Sequence, residues 1–289
     1  MAKEKNIKLQ GHEKFALRDG WLNKGLIAVS EDPTTFQGQS GPDKLGIGNN
    51  MVKSLRYWMK AFGLLKENGA AGVSLTEVAE IIEQYDLYFE DLFTLWVLHY
   101  KIATNKKEST SWYMYFNRCN AEELTKEQIE KILYREILKE ANGETFSEKS
   151  LKSDIDVLLN MYSKNKEMVD PEDKNISPLS VLGLVKYAEG KYVKTHPDRR
   201  IINEWNVLYV LSILMKETEQ LSIEKLINDE GGLVDIYQMT SVMANEMLDR
   251  LDTMGYIRVD RTAGLDMIYK KKEITEVEVM EEYYNKHKH

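Results

Sequence analysis

Cysteine is nearly absent. Cys119 stands alone among 289 residues, which excludes a disulfide framework and a cysteine-rich zinc site. A reducing compartment, the cytoplasm, is the natural expectation. Within the run WYMYFNRCN the residue reads as a small buried hydrophobe. Only 5 prolines occur, and they fall in polar stretches (SEDPTTF, SGPDK, VDPEDKNISP and KTHPDRR), which leaves the intervening segments free to be helical. No stretch approaches the roughly 18 uninterrupted apolar residues of a membrane span, so a membrane is not expected among the partners. The start, MAKEKNIKLQGHEKF, has basic residues with no apolar run behind them, unlike a secretory signal. Low-complexity segments and long repeats are missing too.

Nucleotide loops are also lacking. The stretch GIGNNMVKSLRYW, Gly46 to Trp58, offers two glycines of a dinucleotide fingerprint but not the third. The residues before it, QSGPDK, cannot be a buried strand. No GxxxxGK[ST] loop occurs either.

What is present is ordinary globular material, 43% hydrophobic and 30% charged, with apolar residues recurring at three and four rather than two. The fold class is mostly α. The net charge of −8 argues against bulk coating of nucleic acid, but it is unevenly spread. Met1 to Lys66 holds 11 Lys and Arg against 6 Asp and Glu, or +5, so the remainder carries −13. A basic first quarter on an acidic body fits one local nucleic-acid surface, and equally a set of solvated faces. Polar breaks divide the chain into an N-terminal helix-turn-helix-like unit (1–105), a helical middle unit (106–194) and a C-terminal winged-helix-like unit (195–289). Multiple helix-turn-helix or winged-helix-like modules with small β-hairpin wings are therefore expected.

In the first unit, Met51, Val52, Leu55, Trp58, Met59 and Phe62 share one helical face, and Lys53, Arg56, Tyr57 and Lys60 the other. Asn49 or Asn50 is placed to cap this helix. The segment before the turn, FQGQSGPDK, is short and broken, which weakens the first helix of the pair. GLL and NGAAG resemble the start of a wing. DNA contact would use Lys53, Arg56 and Lys60 on phosphates, with Asn49, Asn50 and Lys53 near base edges. A plain solvated helix face is the alternative.

In the third unit, Ile201 to Lys216 and Leu221 to Ile227 read as helices, the latter with Ser222 as N-cap. SVMANEMLDRLDTMG follows as a helix ended by Gly255. YIRVDRTAGLDMIYKKK reads as a hairpin turning at Thr262–Gly264, with Arg258 and Arg261 as candidate DNA contacts. In the middle unit, Thr125 caps LTKEQIEKILYREILKE, and Ser147 or Ser150 caps LKSDIDVLLNMYSK. Asp154, Asp156, Glu172 and Asp173 are candidate metal ligands, although capping and solvation account for them more simply.

The stretch GHEKFALRDGW, Gly11 to Trp21, puts His12 and Glu13 side by side with Asp19 close behind. Together they are candidates for an acid-base or metal cluster, with a buried salt bridge or helix cap as the alternative. Glu13 and Arg18 would form the structural pair in that case.

GHEKFALRDGWLNKG, LGIGNNMVKSLRYWMKAFGLL, TSWYMYFNRCN, KSLKSDIDVLLNMY and EDKNISPLSVLGLV occur in an order that resembles a bacterial family, domain of unknown function 4007, which includes SspB-like components of the Ssp system. The resemblance covers most of the chain. It implies DNA phosphorothioation and phage defence, with nicking of one strand so that sulfur can be inserted. It further implies work beside a cysteine desulfurase, an ATPase and an ATP pyrophosphatase. The sequence shows no nuclease signature of its own, so nicking, and the Mg²⁺ it would need, rest on the resemblance. If chemistry is present, His12, Glu13 and Asp19 are the first candidates. A non-catalytic winged-helix regulator or adaptor is the alternative, and a pure protein-interaction scaffold, which the acidic body favours, is a third.

Overall fold

The structure, a computed structural model, describes residues 7–38, 41–141, 143–164, 176–264 and 266–287. The first unit runs α1 (Trp21–Glu31), α2 (Gly41–Leu45), α3 (Asn49–Ala61), β1 (Leu65–Glu67), β2 (Val73–Leu75) and α4 (Glu77–Tyr85). The apolar spacing of α3 buries Val52, Leu55, Trp58 and Met59 against α1, and α1 also packs on α2, α4 and β2. The broken segment before the turn does form a helix, but one of only 5 residues. Gly46, with φ 64, turns the chain into α3 in a conformation that glycine adopts without cost.

Two sequence expectations for α3 change. Gly48, in extended backbone, is its N-cap and no side chain caps it, so Asn49 and Asn50 are first-turn residues rather than caps. Tyr57 is not on the solvent face. It is 5% exposed, because the N-terminal turn around His12 lies over that side of the helix and pairs His12 edge-on with its ring.

The wing-like segment is a real antiparallel hairpin, with Leu65 opposite Leu75 and Glu67 opposite Val73. Its tip is fixed by Gly72, whose φ is 92 and whose Cβ position would fall 2.1 Å from the Pro33 carbonyl oxygen. Only a residue without Cβ fits there. The Val73 amide donates to that same carbonyl at 2.9 Å.

The middle of the protein is α5 (Leu92–Thr104), α6 (Thr110–Arg118), β3 (Glu123–Leu124), α7 (Lys126–Glu140), α8 (Glu148–Ser163), β4 (Val185–Ala188) and β5 (Lys191–Lys194). Thr125 and Gln128 close a capping box at α7, and Ser147, not Ser150, caps α8. β3, β5 and β4 form a small antiparallel sheet in that order. α5 is apolar on nearly every side and buries Phe93, Leu95, Trp96, Val97, Leu98 and Tyr100 among others. Such a helix must be central, and it touches α6, the later helices Glu204–Leu214 and Leu233–Tyr237, and the 3₁₀ turn Pro178–Leu182.

The last part is α9 (Glu204–Leu214), β6 (Gln220–Ser222), α10 (Ile223–Asn228), α11 (Leu233–Tyr237), α12 (Ser241–Thr253), β7 (Ile257–Asp260), β8 (Met267–Lys270) and α13 (Glu276–Lys286). The helix read over Ile201–Lys216 is shorter, starting after the Asn203 cap. The helix read from Leu221 instead begins at Ile223 behind its Ser222 cap. Its first residues form β6, an edge strand paired with β8. The expected hairpin is present, turning through Thr262–Gly264, and Gly255 ends α12 with φ 82.

α13 returns to α4 and α9, stacking Tyr284 on Tyr85 at 5.2 Å and Tyr283 on Phe93 at 4.0 Å. The boundaries read at 105/106 and 194/195 fall between α5 and α6 and at the end of β5, and packing crosses both. The architecture is mostly helical with small antiparallel sheets. Among the described residues no helix is long and apolar enough to cross a membrane.

Candidate functional site

The outer side of α3 is built by its own spacing. Lys53, Arg56 and Lys60 follow one another at three and four residues, so they share the side opposite the buried stripe. Asn49, Asn50 and Lys53 are exposed, and Lys53 makes no ion pair among the described residues. Arg56 and Lys60 are engaged. The Arg56 guanidinium donates to both oxygens of Glu67 at 2.8 and 2.9 Å. Lys60 lies 3.2 Å from Glu67 and 3.6 Å from Glu108, and Lys8 closes on Glu108. A chain of five charges thus links the N-terminal segment, the α5–α6 connection, α3 and the hairpin. Partial burial pushes the Glu67 carboxyl up, but Lys60 and Arg56 outweigh it and hold it below the usual range.

The second candidate cluster separates. His12 is fully buried, stacked on Trp58 at 5.8 Å and edge-on to Trp112 at 6.0 Å. Its Nδ1 accepts the Lys14 amide at 3.0 Å, so Nε2 carries the hydrogen and donates it to Asp154 Oδ1 at 2.9 Å. Asp154, 1% exposed, also accepts from the Gln10 amide at 2.7 Å and from Ser111 Oγ at 2.7 Å. His12 and Asp154 thus pin the N-terminal segment to α6 and α8.

Glu13 and Asp19 are exposed and stand apart from this pair. The Glu13 backbone, at φ 49, donates to the Gln10 carbonyl at 3.3 Å, and its side chain makes no hydrogen bond or ion pair among the described residues. Arg18 does not pair with it but lies over the rings of Phe15 and Trp21, at 5.8 and 5.4 Å.

Asp154 is the residue that sequence reasoning misplaced, as a cap or solvent-facing acid. A signal was present: Leu151, Asp154, Ile155 and Leu158 recur at three and four, which puts the carboxylate on the buried stripe. Asp156 is exposed and paired with Lys126, and Glu172 and Asp173 lie outside the described residues. Among the described residues no three His, Cys, Asp or Glu side chains are grouped to hold a metal ion.

Two further polar residues, the buried His99 and the half-buried Lys194, escaped the sequence reading. His99, inside the apolar run of α5, donates through Nε2 to the Ile236 carbonyl at 2.7 Å and accepts from the Tyr162 hydroxyl at 2.8 Å. Burial drives its pKa down to about 4. Lys194 caps α6, donating to the carbonyls of Tyr115 and Cys119 at 3.0 and 2.7 Å. Burial lowers its pKa.

The C-terminal wing carries its cations mostly in pairs. Arg261 reaches Asp249 at 2.6 Å and Asn245 at 2.9 Å, on α12. Lys271 pairs with Asp252 at 3.2 Å, and Lys270 lies 3.2 Å from Glu273. Arg258 lies over the Tyr269 ring at 4.5 Å.

The model of the family described as "Protein of unknown function (DUF4007)" matches residues 9–284. The chain belongs to the DUF4007 family. Two solved structures share its fold. One is an SspB crystal structure, 24% identical, with a TM-score of 0.86 over 96% of this chain and 88% of the other. The second is a magnesium ion-bound SspB crystal structure, 23% identical, with the same TM-score and coverage. No curated protein matches.

Proposed function

We propose that this DUF4007 member is the DNA-engaging component of a DNA phosphorothioation system, acting beside the desulfurase, ATPase and ATP pyrophosphatase of such a system. DNA lies along the outer side of α3. The observation that carries this reading is the Lys53–Arg56–Lys60 stripe, set on a helix that follows a short helix and a glycine turn and leads into a hairpin. That order matches a winged-helix module, whose recognition helix enters the major groove while neighbouring cations hold phosphates. The likeness to SspB structures supports the assignment to the system.

Fluorescence anisotropy with a labelled duplex, titrated between about 50 and 200 mM salt, tests the reading. Lys53→Ala with Arg56→Ala weakens binding and flattens the log–log salt dependence by about 0.9 per lost phosphate contact. Unchanged affinity and slope in a folded double variant would falsify α3 as the DNA-facing helix.

Strand nicking is a second reading, favoured by the magnesium ion in one similar structure. It is separated from a non-catalytic regulator by supercoiled plasmid. A nickase converts the plasmid to the relaxed form when Mg²⁺ is added, whereas a regulator shifts its mobility without relaxing it.

A further inference from the structure

The cations of α3 converge on a carboxylate that belongs to the protein itself. Glu67 ends β1, the strand immediately after α3, and is 40% exposed. Both of its oxygens accept from one Arg56 nitrogen, Nη2, at 2.8 and 2.9 Å, and Lys60 approaches at 3.2 Å. A planar guanidinium with an ammonium beside it is the arrangement that also receives a phosphate.

Lys60 is shared with Glu108, which Lys8 also contacts. The five groups therefore carry three positive charges and two negative. The cluster keeps a net attraction for an anion even with Glu67 in place. Lys53 stands outside this network and is exposed, so it is available to the first encounter with DNA.

We propose that the Glu67 carboxylate occupies a phosphate subsite formed by Arg56 and Lys60, and that a DNA backbone phosphate displaces it on binding. The proposal rests on DNA lying along α3, as argued above. It assigns Glu67 a role in setting affinity. An exposed ion pair is cheap to break, so the carboxylate yields to a phosphate. While in place it screens the two cations from other anions and lowers non-specific attraction. The displaced carboxylate remains near the bound phosphate, which adds a like-charge penalty.

Duplex binding by wild type, Glu67→Gln, Glu67→Asp, Lys53→Ala and the Arg56→Ala/Glu67→Gln double variant tests this. Glu67→Gln binds about three- to tenfold tighter, because no ion pair is broken and no like charge remains. Its salt slope stays that of wild type, since the same phosphates are contacted. Glu67→Asp gives no gain, and removing Arg56 abolishes the gain. Should Glu67→Gln lower the melting temperature, Glu67→Thr, a good strand former at an exposed strand end, carries the same test. A folded Glu67→Gln protein that binds no tighter, while wild type still binds in a Lys53-dependent way, overturns the subsite and leaves the DNA interface standing. If neither wild type nor Glu67→Gln binds duplex, both fall together.

Discussion

Asp154→Ala separates a structural from a catalytic role for His12. The Asp154 carboxyl is 1% exposed and accepts three hydrogen bonds, from His12 Nε2, the Gln10 amide and Ser111 Oγ. Alanine leaves all three donors buried without a partner. Each costs about 1–3 kcal/mol, and because the three donors share one acceptor group the costs are not additive. A loss of about 3–5 kcal/mol is expected, or roughly 5–8 °C in melting temperature for a protein of this size.

Asp154→Asn is milder. Its oxygen still serves His12 and Gln10, and its amide donates to Ser111, so about 1–2 kcal/mol is lost. Differential scanning calorimetry and urea titration read both variants. Duplex binding should weaken in step with unfolding, because the N-terminal segment held by His12 lies against Trp58 of α3. A loss of less than about 1 kcal/mol for Asp154→Ala would refute the view that this centre anchors the fold. Wild-type stability and binding in Asp154→Asn with loss of nicking alone would instead make the pair part of the chemistry.

Stability should fall with acid in a His99-dependent way. The folded pKa of about 4 lies below the ordinary 6.5, so the unfolded chain takes up the proton first and stability declines as pH falls from 6.5 to 4, by roughly 3 kcal/mol in all. His99→Gln retains a donor and an acceptor, and its urea midpoint should vary less over that window. A pH profile identical to wild type would show that His99 is not the group titrating. Charge reversal at Arg261 releases the C-terminal wing from Asp249 and Asn245 on an exposed face, so the melting temperature changes little. Lost duplex binding then places the wing on DNA, and intact binding removes it from the interface. Glu13→Gln folds as wild type, since the exposed Glu13 side chain has no partner among the described residues and its backbone bond to Gln10 is kept. The plasmid assay on this variant is therefore clean, and retained nicking excludes Glu13 from catalysis.

The α3 helix, its apolar face and its basic stripe were legible in the sequence, because a period of three and four reports which side of a helix is buried. So were the Thr125 and Gly255 helix ends and the C-terminal hairpin, whose turn chemistry is local. Tyr57 was not, since its burial depends on the N-terminal segment crossing a face that periodicity alone assigns to solvent. β6 was hidden for a similar reason: Gln220–Ser222 becomes a strand only because β8 supplies hydrogen bonds from far along the chain.

The candidate chemistry divided along the same line. His12 and Glu13 are neighbours in sequence, yet backbone geometry turns one inward to Asp154, 142 residues away, and the other to solvent. Asp154 carried a local signal of burial, but nothing local named its partners. Glu67 read as one acid among many until the hairpin folded it back onto Arg56 and Lys60. The sequence by itself determined that the fold is mostly helical, which residues make the apolar stripe of α3 and where cations gather. Tertiary structure alone decided which buried polar groups find partners and which cations are already held, because those hydrogen bonds and ion pairs join segments that no local periodicity connects.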